Sequence, residues 1–112
     1  MALLSASVNT FATLVFEVNG PGFRDDYPGT SYAVTSMFFC NLSSDPTNLT
    51  IYLVPAGDSP TSNNTIIKSL PVSALDTFAL DTEKVILDDG DSIWAAATNT
   101  DMSVVMSIVR VA

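Results

Sequence analysis

The chain has 112 residues, of which 47% are hydrophobic and 14% are charged, and its formal net charge at pH 7 is −8. This length and apolar content predict one folded domain that spans residues 1–112. The negative charge excludes nucleic acid and anionic membrane surfaces as main partners, because both repel an acidic protein. With no histidine and one cysteine, the chain lacks the residues of histidine-based triads, cysteine–histidine pairs and common zinc sites.

The N-terminal segment, residues 1–10, contains few charges and no turn signals. We predict that it is an extended arm that lies on a neighbouring subunit.

Short runs of β-branched and aromatic residues follow, separated by clusters of Gly, Pro, Asn and Asp, whereas the apolar spacing of helices is nearly absent. This pattern predicts an all-β protein. The predicted strands are residues 10–18, 32–42, 49–54, 65–70, a short strand near Phe78, 84–87, 92–98 and 102–111. About seven or eight antiparallel strands at this spacing indicate a sandwich or a barrel.

Strand 32–42 has apolar residues at both sets of alternate positions, with Tyr32, Val34, Phe38 and Cys40 in the same set. Such a strand is expected to be central and covered on both faces, with Cys40 buried as a small hydrophobe. The polar turn at residues 43–48 predicts a hairpin with the next strand.

Proline is expected to end the strand that begins at Thr65, because Pro71 cannot donate a backbone hydrogen bond. The polar segment of residues 23–30 is predicted to be an exposed loop. Its candidate exposed residues are Phe23, Arg24, Asp25, Asp26 and Tyr27.

The cluster Asp88-Asp89-Gly90-Asp91 has the carboxylates that a hard cation prefers. Its spacing does not fit a helix–loop–helix calcium site, and the predicted position is a hairpin turn, where Asp and Gly serve turn geometry. We therefore predict no catalytic residue, no metal and no cofactor, and a protein that is not an enzyme.

Three segments resemble small virion structural proteins of tailed bacteriophages. They read TIYLVPAG at residues 50–57, TIIKSLP at 65–71 and KVILDDGDSIWA at 84–95. The similarity falls within residues 34–111, and Asp88-Asp89 replaces a Glu and a variable residue of the family pattern. The resemblance implies a jelly-roll-like β-sandwich, located in the virion, that coats or joins larger parts, often as a trimer or ring.

Strands that are apolar on both sides independently predict self-association, because so small a domain cannot cover both faces of such strands. The expected partners are copies of the chain, a trimer being favoured, and a virion shell or tail protein. The candidate contacts are Leu3, Leu4, Val8, Phe11, Val105, Val109 and Val111.

Three functions remain open at this point. The favoured one is a capsid decoration protein that binds and stabilises the shell. The second is a neck, tail or baseplate component of the same virion. The third is a carbohydrate-binding module that uses Tyr52, Trp94 and the loop of residues 23–30, because flat aromatic rings on a sandwich hold sugars.

Overall fold

A computed structural model of the chain describes residues 2–8, 10, 12–18, 31–80, 85–98 and 102–110. These residues form nine β-strands and one short 3-10 turn, so the all-β prediction is confirmed, with more strands than the seven or eight expected. The strands are β1 (Ala2–Val8), β2 (Thr13–Glu17), β3 (Tyr32–Asn41), β4 (Thr47–Val54), β5 (Thr65–Val72), β6 (Thr77–Leu80), β7 (Val85–Leu87), β8 (Ser92–Ala97) and β9 (Met102–Arg110), and the 3-10 turn is Ser62–Asn64.

The strands form two antiparallel sheets that pack as a sandwich. The front sheet has the order β1-β9-β3-β6, with β7 also paired to β3, and the back sheet has the order β2-β8-β4-β5. β6 pairs with the second half of β3 and β7 with its first half. The predicted antiparallel β-sandwich is therefore confirmed.

The core lies between the sheets because alternate residues of each strand point inward. In β9 these are Met102, Val104, Met106 and Ile108, each at most 2% exposed. They meet Leu49, Ile51 and Ile93 of the back sheet, which are fully buried. Phe16 and Tyr32 also pack edge to face across the sandwich, with ring centroids 6.5 Å apart and planes at 88°.

The N-terminal segment is not a free arm. Ala2–Val8 forms the edge strand β1, which pairs with β9 in regular antiparallel register from Ala2 opposite Ile108 to Val8 opposite Met102. Val8 is 0% exposed and belongs to the core, so its side chain is not on the surface where a subunit contact was predicted. Ala6, which is partly buried, also packs against the core.

β3 lies inside the front sheet as predicted, but its two faces are not both covered. A register shift between Val34 and Ser36 inserts an extra residue, a β-bulge that reverses the alternation of the strand. Tyr32 and Val34 therefore share the core face with Met37 and Phe39, whereas Phe38 is 43% exposed on the other face. The sequence pattern, read without the bulge, placed Phe38 on the wrong side.

The connections also differ from those predicted. β3 and β4 lie in different sheets, as do β7 and β8, so neither polar turn closes a hairpin. β5 continues through Pro71 to Val72, which is possible because β5 is an edge strand.

Asn41 holds the crossing that follows β3. Its side chain is fully buried. The amide nitrogen donates to the carbonyl oxygen of Asp45 at 2.8 Å, and the amide oxygen accepts from the backbone N–H of Ser43 at 3.0 Å. One side chain thus fixes the turn that carries the chain from the front sheet to the back sheet.

Candidate assembly surface

The outward side of the front sheet, called here the front face, carries no charged residue at its described positions. Its positions follow from the strand register and from the buried side chains that alternate with them. The front-face residues are Ser5, Ser7, Ala33, Thr35, Ser36, Phe38, Cys40, Thr77, Ala79, Ile86, Ser103, Val105, Ser107 and Val109.

Two apolar rows cross the front face. Phe38 of β3 lies opposite Val105 of β9, and the two side chains are 43% and 39% exposed. In the second row Ala33 lies between Val109 of β9 and Ile86 of β7, which is 57% exposed. Such directly opposed residues form continuous side-chain contacts across a sheet, so the exposed apolar groups are arranged in rows rather than scattered.

Hydroxyl groups occupy the centre of the front face beside the bulge of β3. Thr35 Oγ1 donates to the carbonyl oxygen of Ser107 at 3.2 Å and also forms a hydrogen bond with Ser107 Oγ. Ser36 Oγ lies 3.2 Å from the same Ser107 Oγ. Because these hydroxyls bond to one another, covering them costs less than covering polar groups that depend on water.

Charge is distributed unevenly between the faces and the loops. In the described strands of the front sheet, Arg110 at the end of β9 is the one charged residue, whereas the back sheet carries Glu17 and Lys68. The described carboxylates outside strands lie in the connections, at Asp45, Asp58, Asp76, Asp88, Asp89 and Asp91. In a chain of net charge −8, the described positions of the front face thus carry no charge.

Of the other residues predicted to contact a subunit, the structure places two on the front face. These are Val105 and Val109. Leu3 and Leu4 lie in β1, at positions paired with Ser107 and Met106. Phe11, Val111 and the predicted loop residues Phe23, Arg24, Asp25, Asp26 and Tyr27 are outside the described residues.

The sequence pattern missed Phe38 and Ile86 as surface residues. For Phe38 the missing information was the bulge, and for Ile86 it was the placement of β7 at the edge of the front sheet. Cys40, expected to be buried, is half-buried and lies between Ser103 of β9 and Thr77 of β6.

The acidic turn of residues 88–91 connects β7 of the front sheet to β8 of the back sheet and is held by hydrogen bonds to other connections. Asp91 Oδ1 accepts from the backbone N–H of Ala56 at 2.9 Å, and Asp91 Oδ2 accepts from that of Asp88 at 3.0 Å. Gly90 donates its backbone N–H to the carbonyl oxygen of Val18 at 3.1 Å.

Asp88 Oδ1 in turn accepts from the Ser31 hydroxyl at 2.5 Å. These carboxylates are occupied by bonds within the chain, and no group of three or more metal-ligating side chains gathers in the part that the structure describes.

The two aromatic residues singled out for sugar binding come together on the outward side of the back sheet. Tyr52 of β4 lies directly opposite Trp94 of β8, and Leu14 of β2 lies opposite Trp94 on its other side. Both aromatic side chains are half-buried, and Trp94 Nε1 donates to Ser92 Oγ at 2.9 Å. The third predicted part of that site, residues 23–30, lies outside the described residues.

Comparison of this chain with protein-family models, with characterised proteins and with solved structures finds no match in any of the three. Among the described residues, no helix has the length and apolar character needed to cross a membrane.

Proposed function

We propose that this protein is a non-enzymatic structural component of a bacteriophage virion, most specifically a capsid decoration protein, and that it attaches through its front face. The observation that carries the proposal is that, among the described residues, no charged side chain lies on a face that exposes Phe38, Ile86 and Val105. Residues of this kind are typical of the core of a protein–protein interface, from which charged residues are depleted.

The physical advantage of such a face is a low desolvation cost. An ion buried without a partner is strongly destabilising, whereas methyl and phenyl groups gain free energy when they leave water. The front sheet is four strand positions wide, because β6 and β7 share one. Positions about 4.8 Å apart and roughly 30 Å long give the face a projected area of roughly 600 Å². This approaches the roughly 800 Å² that each partner buries in a standard interface.

Two further features support a virion role. The sequence segments at residues 50–57, 65–71 and 84–95 resemble small phage virion proteins. The strand order places the first strand beside the last and interleaves the two sheets along the chain, which supports the jelly-roll arrangement implied by that resemblance. Jelly rolls occur in viral capsid domains and in lectins.

The test is peptide mass spectrometry of purified particles of the parent virus, with the copy number measured against the major shell protein. A decoration protein is expected in hundreds of copies per particle. A few to tens of copies would place it at the neck, tail or baseplate instead. Absence of the chain from washed particles would refute a structural role in the virion.

A second candidate function, carbohydrate binding on a tail or fibre, is favoured by the opposition of Tyr52 and Trp94 on the back sheet. Aromatic rings with one exposed side can pack against the apolar faces of sugars. Because the chain has one tryptophan, its fluorescence reports on this position alone. Quenching by a glycan that is lost in the Tyr52→Ala variant would support this function, and unchanged fluorescence across a glycan panel would oppose it.

A further inference from the structure

β1 is an edge strand with an unusual composition. Its seven residues, Ala2–Val8, include no charged residue, no proline and no glycine, and its pairing with β9 has no register shift. Among the described residues, β9 is the one strand paired with β1. Among the described strands, none is hydrogen-bonded to the other edge of β1, which presents a row of backbone donors and acceptors.

The other edge strands are short or carry features that oppose pairing with another chain. β6 and β7 have four and three residues. β2 contains a bulge and ends at Glu17, and β5 contains Lys68, Pro71 and two register shifts. Charges, proline, bulges and shortness are the means by which natural sheets avoid edge-to-edge association. β1 has none of them.

We propose that β1 pairs with β1 of a second copy of this chain, in antiparallel orientation about a two-fold axis. The two front sheets then join into one continuous sheet. This inference concerns self-association alone and does not depend on the virion role.

A second copy is the partner that the charge distribution favours. Two chains of net charge −8 repel each other wherever their acidic loops approach. Contact through β1 brings together strands that carry no charge. Two-fold pairing is self-complementary, because each position of β1 meets a position of the same strand.

The register follows from two requirements, that all seven residues of β1 pair and that both front faces lie on the same side of the joined sheet. Pairing centred on Ser5 places Ser5 opposite its own copy, Ser7 opposite Leu3 and Val8 opposite Ala2. Positions that belong to the core side then meet one another, as do positions of the front face. The uncharged front face becomes continuous over two chains, and the expected assembly is a dimer rather than the trimer implied by the sequence resemblance.

Sedimentation velocity of the purified chain and of two lysine variants tests this pairing. Ser5→Lys places like charges directly opposite each other at the two-fold axis, and we expect the dissociation constant of the dimer to rise by about tenfold or more. Thr77→Lys adds the same charge to another exposed front-face position, on β6, and leaves dimerisation unchanged. Equal weakening by the two variants would indicate association through the front face and would overturn the edge pairing.

Disulfide trapping provides an independent measurement. In a Cys40→Ser background, Ser5→Cys places two thiols opposite each other, where β-carbon atoms lie about 4.5–5.5 Å apart, close to disulfide distance. We expect a covalent dimer under mild oxidation from Ser5→Cys and none from Thr77→Cys. A chain that stays monomeric at about millimolar concentration, or that forms a trimer without cross-linking at Ser5→Cys, would contradict the proposal.

Discussion

Replacement of Gly90 by alanine tests how the acidic turn holds the sandwich together, and the chain provides a matched control in Gly57. Both glycines have positive φ angles, 87° at Gly90 and 84° at Gly57. A β-carbon at Gly90 would lie 2.9 Å from the β-carbon of Ala56, whereas one at Gly57 would have no atom within 4 Å. The two substitutions thus share the backbone cost and differ in the steric contact.

The backbone cost of an L-residue in the left-handed region is about 1–2 kcal/mol. It is partly offset because alanine reduces the entropy of the unfolded chain. We therefore expect Gly57→Ala to lower the free energy of unfolding by about 1 kcal/mol. Gly90→Ala adds the contact with Ala56, and overpacking of this kind costs about 1–3 kcal/mol. The expected total for Gly90→Ala is about 2–4 kcal/mol.

Urea unfolding followed by Trp94 fluorescence measures both variants, and the double variant Ala56→Gly with Gly90→Ala completes a mutant cycle. Removal of the Ala56 methyl group should return the loss to about that of Gly57→Ala, which corresponds to a coupling energy of about 1–3 kcal/mol. The close approach of Ala56 and Gly90 is wrong if the stability losses of Gly57→Ala and Gly90→Ala agree within about 0.5 kcal/mol. It is also wrong if Ala56→Gly does not restore the stability of the Gly90→Ala variant.

Three further predictions concern the sheet crossing, the acidic turn and the front face. Asn41→Ala removes a fully buried side chain whose amide bonds to the backbone of Ser43, Asp45 and Val72, and chemical denaturation should show a loss of about 2–4 kcal/mol. Asp91→Ala removes the acceptor of two backbone N–H groups and should lower the free energy of unfolding by about 1–2 kcal/mol. The control Asp58→Ala, at an exposed loop position, should change it by less than about 0.5 kcal/mol. Equal losses of stability in the two variants would contradict the turn geometry. Phe38→Lys should abolish co-sedimentation with shell particles while leaving thermal stability nearly unchanged, and Ile66→Lys, at a similarly exposed position of β5, should retain binding.

Regular alternation made much of the fold predictable. β9 shows apolar residues at every second position, and the strands around Trp94 and Phe78 were found near their predicted places. The turn formed by Asp88, Asp89 and Gly90 was also evident from residue type, because positive φ favours glycine. These features depend on neighbours along the chain.

The errors concern contacts between distant parts of the chain. The sequence predicts an arm in place of β1 because the partner strand of β1, β9, lies at the other end of the chain. The bulge at Thr35 and Ser36 involves no glycine or proline, so nothing in the sequence marks it. Regular alternation along β3 therefore predicts the wrong face for the residues that follow the bulge. Register and bulges depend on which strands pair, and residue order within one strand does not specify this.

The same limit applies to the candidate surfaces. The opposition of Phe38 and Val105, like that of Tyr52 and Trp94, exists only after β3 pairs with β9 and β4 with β8. In the sequence, Asp residues cluster in the turns between strands, and the structure adds that the described positions on the outward side of the front sheet carry no charge.

The chemical accessibility of Cys40 tests the central claim most directly, because this half-buried thiol is the chain's one cysteine and lies on the front face. The rate of alkylation is measured by mass spectrometry for the purified chain and for the same chain on intact particles. If the front face attaches to the shell, alkylation of Cys40 slows by about tenfold or more on the particle and recovers when the particle is dissociated. Equal rates in the free and attached chain would show that the front face remains open to solvent, and would contradict the proposed mode of assembly.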